Sequence, residues 1–438
     1  MRVLVVGAGP SGLILGAALG LREHLVTVVD RDPGPTPDGV WKRRGVMQFE
    51  HAHGFRPQVP LLLREVWPAA YDAWIAHGAE PVTVETAGQA EMPMGMRSRR
   101  STFERALRAA AQRTPGLEIR TGHVDSLRRV GLRVVGAVID GDEVEADLVV
   151  DASGRSGRLL RRDAGIDGDC GLAYVNRGYR LTAGAEPGPL LNPLLWVGNY
   201  DGYQVLVFLH EQGHFSVLFV RPTADVGLRS LGHRTAFDAA CRTVPALASW
   251  TDPDRAIATT DVLVGGALRN VYTPQAGLQN LVSIGDAVST TTPTAGRGIA
   301  MACMQIHALL GLLDHGADPH RLAEPFEMWS RDCIRPWVED HIVLDNESVR
   351  LWQGNDIDLA HPLSSTRILD AARMDDRISP YVGGYLAMTE LPATLAPAQP
   401  LARAVYQSGW RPSFSEGPSR DELVETISGL SETRTVTA

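Results

Sequence analysis

Val3-Leu4-Val5-Val6-Gly7-Ala8-Gly9-Pro10-Ser11-Gly12, near the amino terminus, decides the fold. Its apolar opening is too short for the core of a signal peptide and stops on a glycine turn. It suits a strand buried on both faces of a parallel sheet. The glycines fall as G-x-G-x-x-G, and the stretch from about Ser11 to Leu21 reads as a helix. A second apolar run, Leu25-Val26-Thr27-Val28-Val29, ends on Asp30, 18 residues after Gly12. Strand, glycine turn, helix, strand and acid make a dinucleotide-binding pattern. Gly7 permits the tight turn, Gly9 lets a pyrophosphate approach the backbone, and Gly12 allows close helix–strand packing. Pro10 and Ser11 open the helix, whose unpaired N–H groups and partial positive charge suit phosphates. Asp30, with Arg31 beside it, is placed for the adenosine ribose; the acid disfavours a 2′-phosphate but does not separate FAD from NAD.

Composition bounds the rest. At 438 residues, two to three compact units are expected. Hydrophobic residues make up 44% and charged ones 21%, ordinary for a chain with a sizeable core. The balance of 42 basic against 51 acidic residues gives a net charge of −9 without a basic block, which argues against a nucleic-acid partner. Cys170, Cys241, Cys303 and Cys333 form neither a CxxC pair nor a zinc pattern, so buried thiols in a reducing cytoplasm are expected. No window reaches the roughly 18 consecutive apolar residues of a membrane span, and the cytoplasm is the expected location.

Two later motifs bear on which dinucleotide binds. Leu281-Val282-Ser283-Ile284 reads as another buried strand, ending in Gly285-Asp286-Ala287. Pro293-Thr294-Ala295-Gly296-Arg297-Gly298 then opens a helix through Ile306. Asp286 is placed to bind a polyol hydroxyl, and the helix would aim its positive end at the pyrimidine side of an isoalloxazine. An ordinary N-capping aspartate followed by a loop is the alternative.

Taken together, the set resembles the p-hydroxybenzoate hydroxylase-like (group A type) FAD-dependent monooxygenases, on motifs spread over roughly two thirds of the chain. The resemblance extends to Arg44-Gly45-Val46, where an arginine stands beside the flavin. It includes the helix led by Arg100, with Arg99 adjacent, which would contact the pyrophosphate, and the strand and turn through Asp151-Ala152-Ser153-Gly154. It implies an α/β fold: a Rossmann-like, GR2-type FAD-binding domain built from 1–75, 95–165 and 258–320. An antiparallel β-sheet substrate domain (76–94 and 166–257) would be inserted, and 321–438 would form a helical C-terminal cap. The departures are Ser153 where an acid tied to nicotinamide use is usual, Ala287-Val288-Ser289 after the GD pair, and Arg297 where glutamine is common. Electrons would come from NAD(P)H or, as Ser153 allows, from reduced flavin made by a separate reductase.

Between about 170 and 260 the pattern turns β-rich, with Tyr203–Leu209 and Phe215–Val220 reading as a hairpin. Tyr174, Trp196, Tyr203, Phe208 and Phe219 are candidates for an apolar substrate pocket, each equally readable as core. His51 and His53 flank Ala52 after Glu50, but nothing nearby completes a ligand set, so no metal is expected. His53, as a pocket residue, and Arg297, as a stabiliser of anionic reduced flavin, are the candidate catalytic side chains; a structural role is the alternative for each. The reaction implied is insertion of one oxygen atom from O2, through a flavin C4a-hydroperoxide, into a hydrophobic aromatic or alkene substrate. That would be hydroxylation or epoxidation in secondary metabolism. The W-x-W-x-I-P stretch of flavin halogenases is missing; alkene reduction and a non-catalytic flavin redox sensor are the remaining alternatives.

Overall fold

The computed structural model describes residues 1–43, 45–84, 92–155, 163–266 and 268–430. In chain order the elements that matter here are β1 (Arg2–Val6), α1 (Pro10–Gly20), β2 (Leu25–Asp30), α2 (Arg100–Ala111), β3 (Leu117–Thr121), β4 (Leu148–Asp151), β5 (Leu172–Leu181), β6 (Leu195–Tyr200), β7 (Tyr203–Leu209), β8 (His214–Pro222), α3 (Arg234–Thr243), β9 (Leu281–Ser283) and α4 (Gly298–Asp314). They fall into two compact units: 1–49, 55–168 and 269–339 form the first, and 50–54, 169–268 and 340–438 the second.

The first unit is built on a five-stranded sheet in the order β9-β4-β1-β2-β3, every pair parallel. Alternation along β1 explains why its apolar run is unbroken. Val3 and Val5 join a core with α1, α2 and α4, while Leu4 and Val6 join another with Val134, Ala137 and Ile139 of an antiparallel three-stranded sheet. A strand covered on both faces must be apolar on both. α1 lies in the helical layer, and its residues from Gly12 to Gly20 are all buried. The strand order places β2 and β3 on one side of β1 and β4 and β9 on the other, so the order reverses at β1. Ligands of open parallel sheets sit beyond the strand ends at such a reversal.

The second unit holds a six-stranded antiparallel sheet whose main path runs β6-β7-β8-β5. Here period-two alternation separates two environments. Val175 and Tyr179 of β5, Tyr203, Val205, Val207 and Leu209 of β7, and Phe215, Val217 and Phe219 of β8 pack under α3 and the helices Pro245–Thr251 and Arg420–Ile427. Tyr174, Asn176, Leu206, Phe208, Ser216 and Leu218 alternate with them and point the other way.

The boundaries differ from those expected. The strand Glu80–Val84 pairs with Met92–Arg97, which leads directly into α2, so both belong to the first unit. Residues 321–438 are no third body, because they divide between the units at 339. The proline-rich stretch from Leu391 is a 3-10 segment running into the helix Gln399–Gln407. Cys170, Cys241 and Cys303 are buried and all four cysteines are free thiols. Among the described residues no helix is long and apolar enough to cross a membrane.

Candidate functional site

In the first unit, the carboxyl ends of β1, β4 and β9 lie side by side, and each ends in a turn that carries one of the motifs. Ala152 N donates to Val6 O at 2.9 Å and Ile284 N to Asp151 O at 2.9 Å. Glycine is required where these turns press together. Gly7 has φ +111°, and a Cβ there would lie 2.4 Å from the Ala152 carbonyl oxygen. A Cβ on Gly12 would lie 1.9 Å from Gly7 O, and one on Gly285 2.6 Å from Ser11 Oγ. The opening turn and the distant GD turn are therefore in contact. Gly9 is different: a Cβ there meets nothing within 4 Å. Gly9 is also the N-cap of α1 and supplies no side-chain cap, so first-turn N–H groups stand uncapped beside open space.

Asp30 holds the turn from the next strand. Its Oδ2 accepts from Ala8 N at 2.7 Å and its Oδ1 from Asp32 N at 2.9 Å. Oδ1 keeps a second lone pair for a ligand hydroxyl. Arg31 is exposed, and Arg44 lies outside the described residues. Its neighbour Arg43, which sequence reasoning passed over, is the arginine built into this site. Buried, it donates to Ala8 O at 3.1 Å, approaches Asp30 at 3.5 Å and pairs with Glu104 of α2. Arg100 pairs with the same carboxylate. Nothing local in the sequence singled out Arg43, because its partner Glu104 lies 61 residues on. Arg99 caps the start of α2.

Asp286 is reached by solvent, yet protein crowds it enough to raise its carboxyl pKa above the usual value. Burial is the leading cause, opposed by the charges of Arg100 and Arg155. A group both crowded and reachable sits in a crevice; its accessibility decides that a ligand hydroxyl can meet it, and the crowding describes the walls. Beyond it, Pro293 opens a 3-10 turn, Gly296 takes the left-handed conformation at φ 60°, and Arg297 caps α4. Arg297 is buried, its guanidinium 4.8 Å from the ring centroid of Trp337. A Cβ on Gly298 meets nothing within 4 Å, and Thr291 Oγ1, ahead of the 3-10 turn, is buried without a hydrogen-bond partner. Ser153 Oγ donates to Asp151 Oδ1 at 2.5 Å, so the hydroxyl standing where an acid was usual is committed to the end of β4.

In the second unit, the five aromatic candidates divide by sheet face. Trp196, Tyr203 and Phe219 point into the helix-covered core, where Tyr203 donates to Pro418 O at 2.7 Å and Phe219 packs edge-on against Phe237. They drop out as pocket lining, because alternation from β6 to β8 turns them inward. Tyr174 and Phe208 lie on the other face, beneath the segment 50–54. The His51 ring meets Tyr174 edge-on at 5.3 Å, Ala52 N donates to Asn176 Oδ1 at 3.3 Å, and Gly54 lies against Phe208. His51 is buried, and burial pushes its imidazole down to about 4, so it is neutral at neutral pH. His210 on the same face pairs its Nε2 with Ser216 Oγ at 2.9 Å. His53 is half-buried within the same segment. Among the described residues, no three His, Cys, Asp or Glu side chains assemble as a metal site.

No protein-family model matches the chain, and no curated protein matches it in sequence. Solved structures do match in fold. The flavin-dependent brominase Bmp2 superposes with a TM-score of 0.64 at 16% identity over 94% of this chain and 100% of that one. The myxobacterial chondrochloren halogenase CndH, described as a variant of FAD-dependent halogenases, gives 0.58 at 16% identity over 96% and 98%. PqsL of Pseudomonas aeruginosa, described as a probable FAD-dependent monooxygenase, gives 0.58 at 14% identity over 81% and 100%. The chain has the mixed α/β fold of these flavoenzymes.

Proposed function

We propose that this protein is an FAD-dependent oxygenase acting on a hydrophobic small molecule, with the first unit as its Rossmann-like cofactor domain. One observation carries the reading. Three strand ends converge where Gly7, Gly12 and Gly285 pack backbone against neighbouring turns, while Gly9 and Gly298 face open space and Asp286 remains reachable. That combination fits an elongated dinucleotide better than a turn closed on itself. The orphaned Thr291 hydroxyl, in the segment between the GD turn and α4, supports the same fit.

In this reading the first turn of α1 holds the pyrophosphate, with Arg100 contributing charge, Asp30 takes ribose hydroxyls, and Asp286 takes a ribityl hydroxyl. The start of α4 and Arg297 stand toward the isoalloxazine and favour negative charge on it. Bound FAD would supply two-electron redox chemistry and activation of O2. The protein supplies position, exclusion of water and a surface for the substrate. The likeness in fold to the two halogenases supports a second reading, halide oxidation by the same cofactor, against which stands the missing W-x-W-x-I-P stretch. Ser153, engaged with Asp151, supports delivery of reducing equivalents as reduced flavin from a separate reductase, in the cytoplasm where thiols stay reduced.

The test is titration of the purified protein with FAD, followed by flavin absorbance and fluorescence. Stoichiometric binding is expected, and a protein that takes up no flavin removes the reading. Turnover supplied with a flavin reductase, with and without bromide or chloride, then separates products that gain oxygen from products that gain halogen. Consumption of NADH or NADPH by the protein alone would overturn the separate-reductase part only.

A further inference from the structure

The most exposed large apolar side chain among the described residues is Val130 of the first unit, 70% exposed, and Leu132, two positions on, is 67% exposed. They form a hairpin tip. The strands Val124–Val130 and Arg133–Ile139 pair as far as Val130 opposite Arg133. Gly131, at φ +63°, and Leu132 make the two-residue turn between them. Turns of this length favour small or polar residues, so the fold gives no reason for a leucine there. All five residues from Arg129 to Arg133 are exposed. The root beneath them is fixed: Val134 lies in the core, its N–H donates to Gln279 O at 3.0 Å, and Gln279 N donates to Leu132 O at 3.0 Å. The tip is held out from a packed base.

Charge is sorted along the same sheet. The carboxylates of its third strand, Asp142–Glu145, are all engaged: Glu145 with Arg2 at 2.8 Å, Glu143 with Arg128 at 2.7 Å, and Asp142 with Arg120 at 4.0 Å. Arg129 and Arg133 have no such partner among the described residues. In a chain of net charge −9, the tip therefore offers two uncompensated cations around two aliphatic side chains.

That combination selects the partner. A stable protein interface needs about 800 Å² a side and pockets for its anchors, more than a convex turn of five residues presents. A bilayer surface makes no such demand. Its boundary layer accepts a convex apolar wedge, and anionic headgroups attract the flanking arginines. We propose that the hairpin tip at 129–133 docks this protein reversibly on an anionic lipid surface. Val130 and Leu132 enter the boundary between headgroups and acyl chains, and Arg129 and Arg133 meet lipid phosphates. Two aliphatic side chains and two cations make a weak anchor, so bound and free forms exchange. Docking of this kind needs no flavin, and it would bring the chain to where a hydrophobic substrate collects.

The test is co-sedimentation of the full-length protein with sucrose-loaded vesicles at low and high salt. One set is phosphatidylcholine alone and the other phosphatidylcholine mixed with phosphatidylglycerol. Binding is expected to the mixed vesicles only, and it should fade as salt rises. Val130→Ser combined with Leu132→Ser should lower it by about tenfold or more. Arg129→Gln combined with Arg133→Gln should lower it by about fivefold per arginine. All four positions are exposed, so both variants should melt with the wild type. Wild-type protein that stays in solution beside the mixed vesicles at low salt overturns the proposal. So does full binding by the serine variant, which would make the contact one of charge alone, as with an acidic protein. A loss of binding that comes only with a lowered melting temperature overturns it too, since Val130 and Leu132 would then serve the fold.

Discussion

The two units solve opposite problems with sheets of opposite kind. The first buries a parallel sheet on both faces and leaves its function to the strand ends, where backbone and glycines do the holding. The second turns one face of an antiparallel sheet to a helical core and leaves the other to carry side chains such as Asn176, Phe208 and His210. A site built from backbone tolerates little change in glycine but much in side chains, and one built from side chains should behave the other way. On the proposed function, the difference teaches where specificity can drift while the dinucleotide cradle stays fixed.

Substitutions can break that comparison. The largest effect should come from Glu104→Ala, which leaves Arg43, 4% exposed, with only a 3.5 Å approach to Asp30 and takes the same partner from Arg100. A loss of about 3–5 kcal/mol is expected, read as a lowered denaturant midpoint. In the second unit, Arg177 also pairs with Asp238, but that carboxylate is 34% exposed, so Asp238→Ala should cost about 1 kcal/mol. Comparable losses at both sites would mean that burial is not what separates them.

Next come two glycines three residues apart. Gly12→Ala puts a Cβ 1.9 Å from a backbone oxygen that cannot move aside. It should destabilise by about 3 kcal/mol and abolish flavin uptake. Gly9→Ala enters open space, so its melting temperature should match the wild type while FAD affinity falls about tenfold. A Gly9→Ala protein that binds FAD normally would show that the open space is not where the cofactor lies.

Acid should sharpen the contrast through His51. Its imidazole falls from the ordinary 6.5 to about 4 on folding, so the unfolded chain takes up the proton first. The stability it contributes is complete above pH 6.5 and is lost as pH falls toward 4, by at most about 3 kcal/mol. Subtracting the melting curves of His51→Phe from those of the wild type should isolate a slope in that window; a flat difference would mean that the ring is not held neutral. The smallest effect belongs to Tyr203→Phe, which removes the hydrogen bond to Pro418 O. About 1 kcal/mol of stability should go, with substrate KM unchanged; a shift in KM would put Tyr203 back at the substrate face.

How legible was this in the sequence? The crevice was, because its requirements are local: a strand, a turn that only glycine can make and a helix start are each written in consecutive residues. The contact between the Gly7 turn and Gly285 was not written there, since it depends on β9 pairing with β4 beside β1. Arg43 was not legible, since its burial depends on Glu104, far along the chain. Three of the five aromatic candidates turned out to be core for a related reason. Alternation says that Tyr203 and Phe208 face opposite ways, but only the helices from 234 to 251 and 420 to 427 decide which way is core. The pairing of the segment at 50–54 with β5 could not be read at all, because residues more than a hundred positions apart carry it.

The strand β9 pairs with β4 although all of residues 169–268 lie between them. A ribosome makes the amino-terminal turn first and delivers β9 only after the whole antiparallel sheet has emerged. Throughout that interval β4 presents an unpaired parallel edge, a template for wrong partners in a crowded cell. The growing chain therefore spends its most vulnerable period with two of the three strand ends of the glycine crevice in place, and its yield should depend on how fast that last strand arrives.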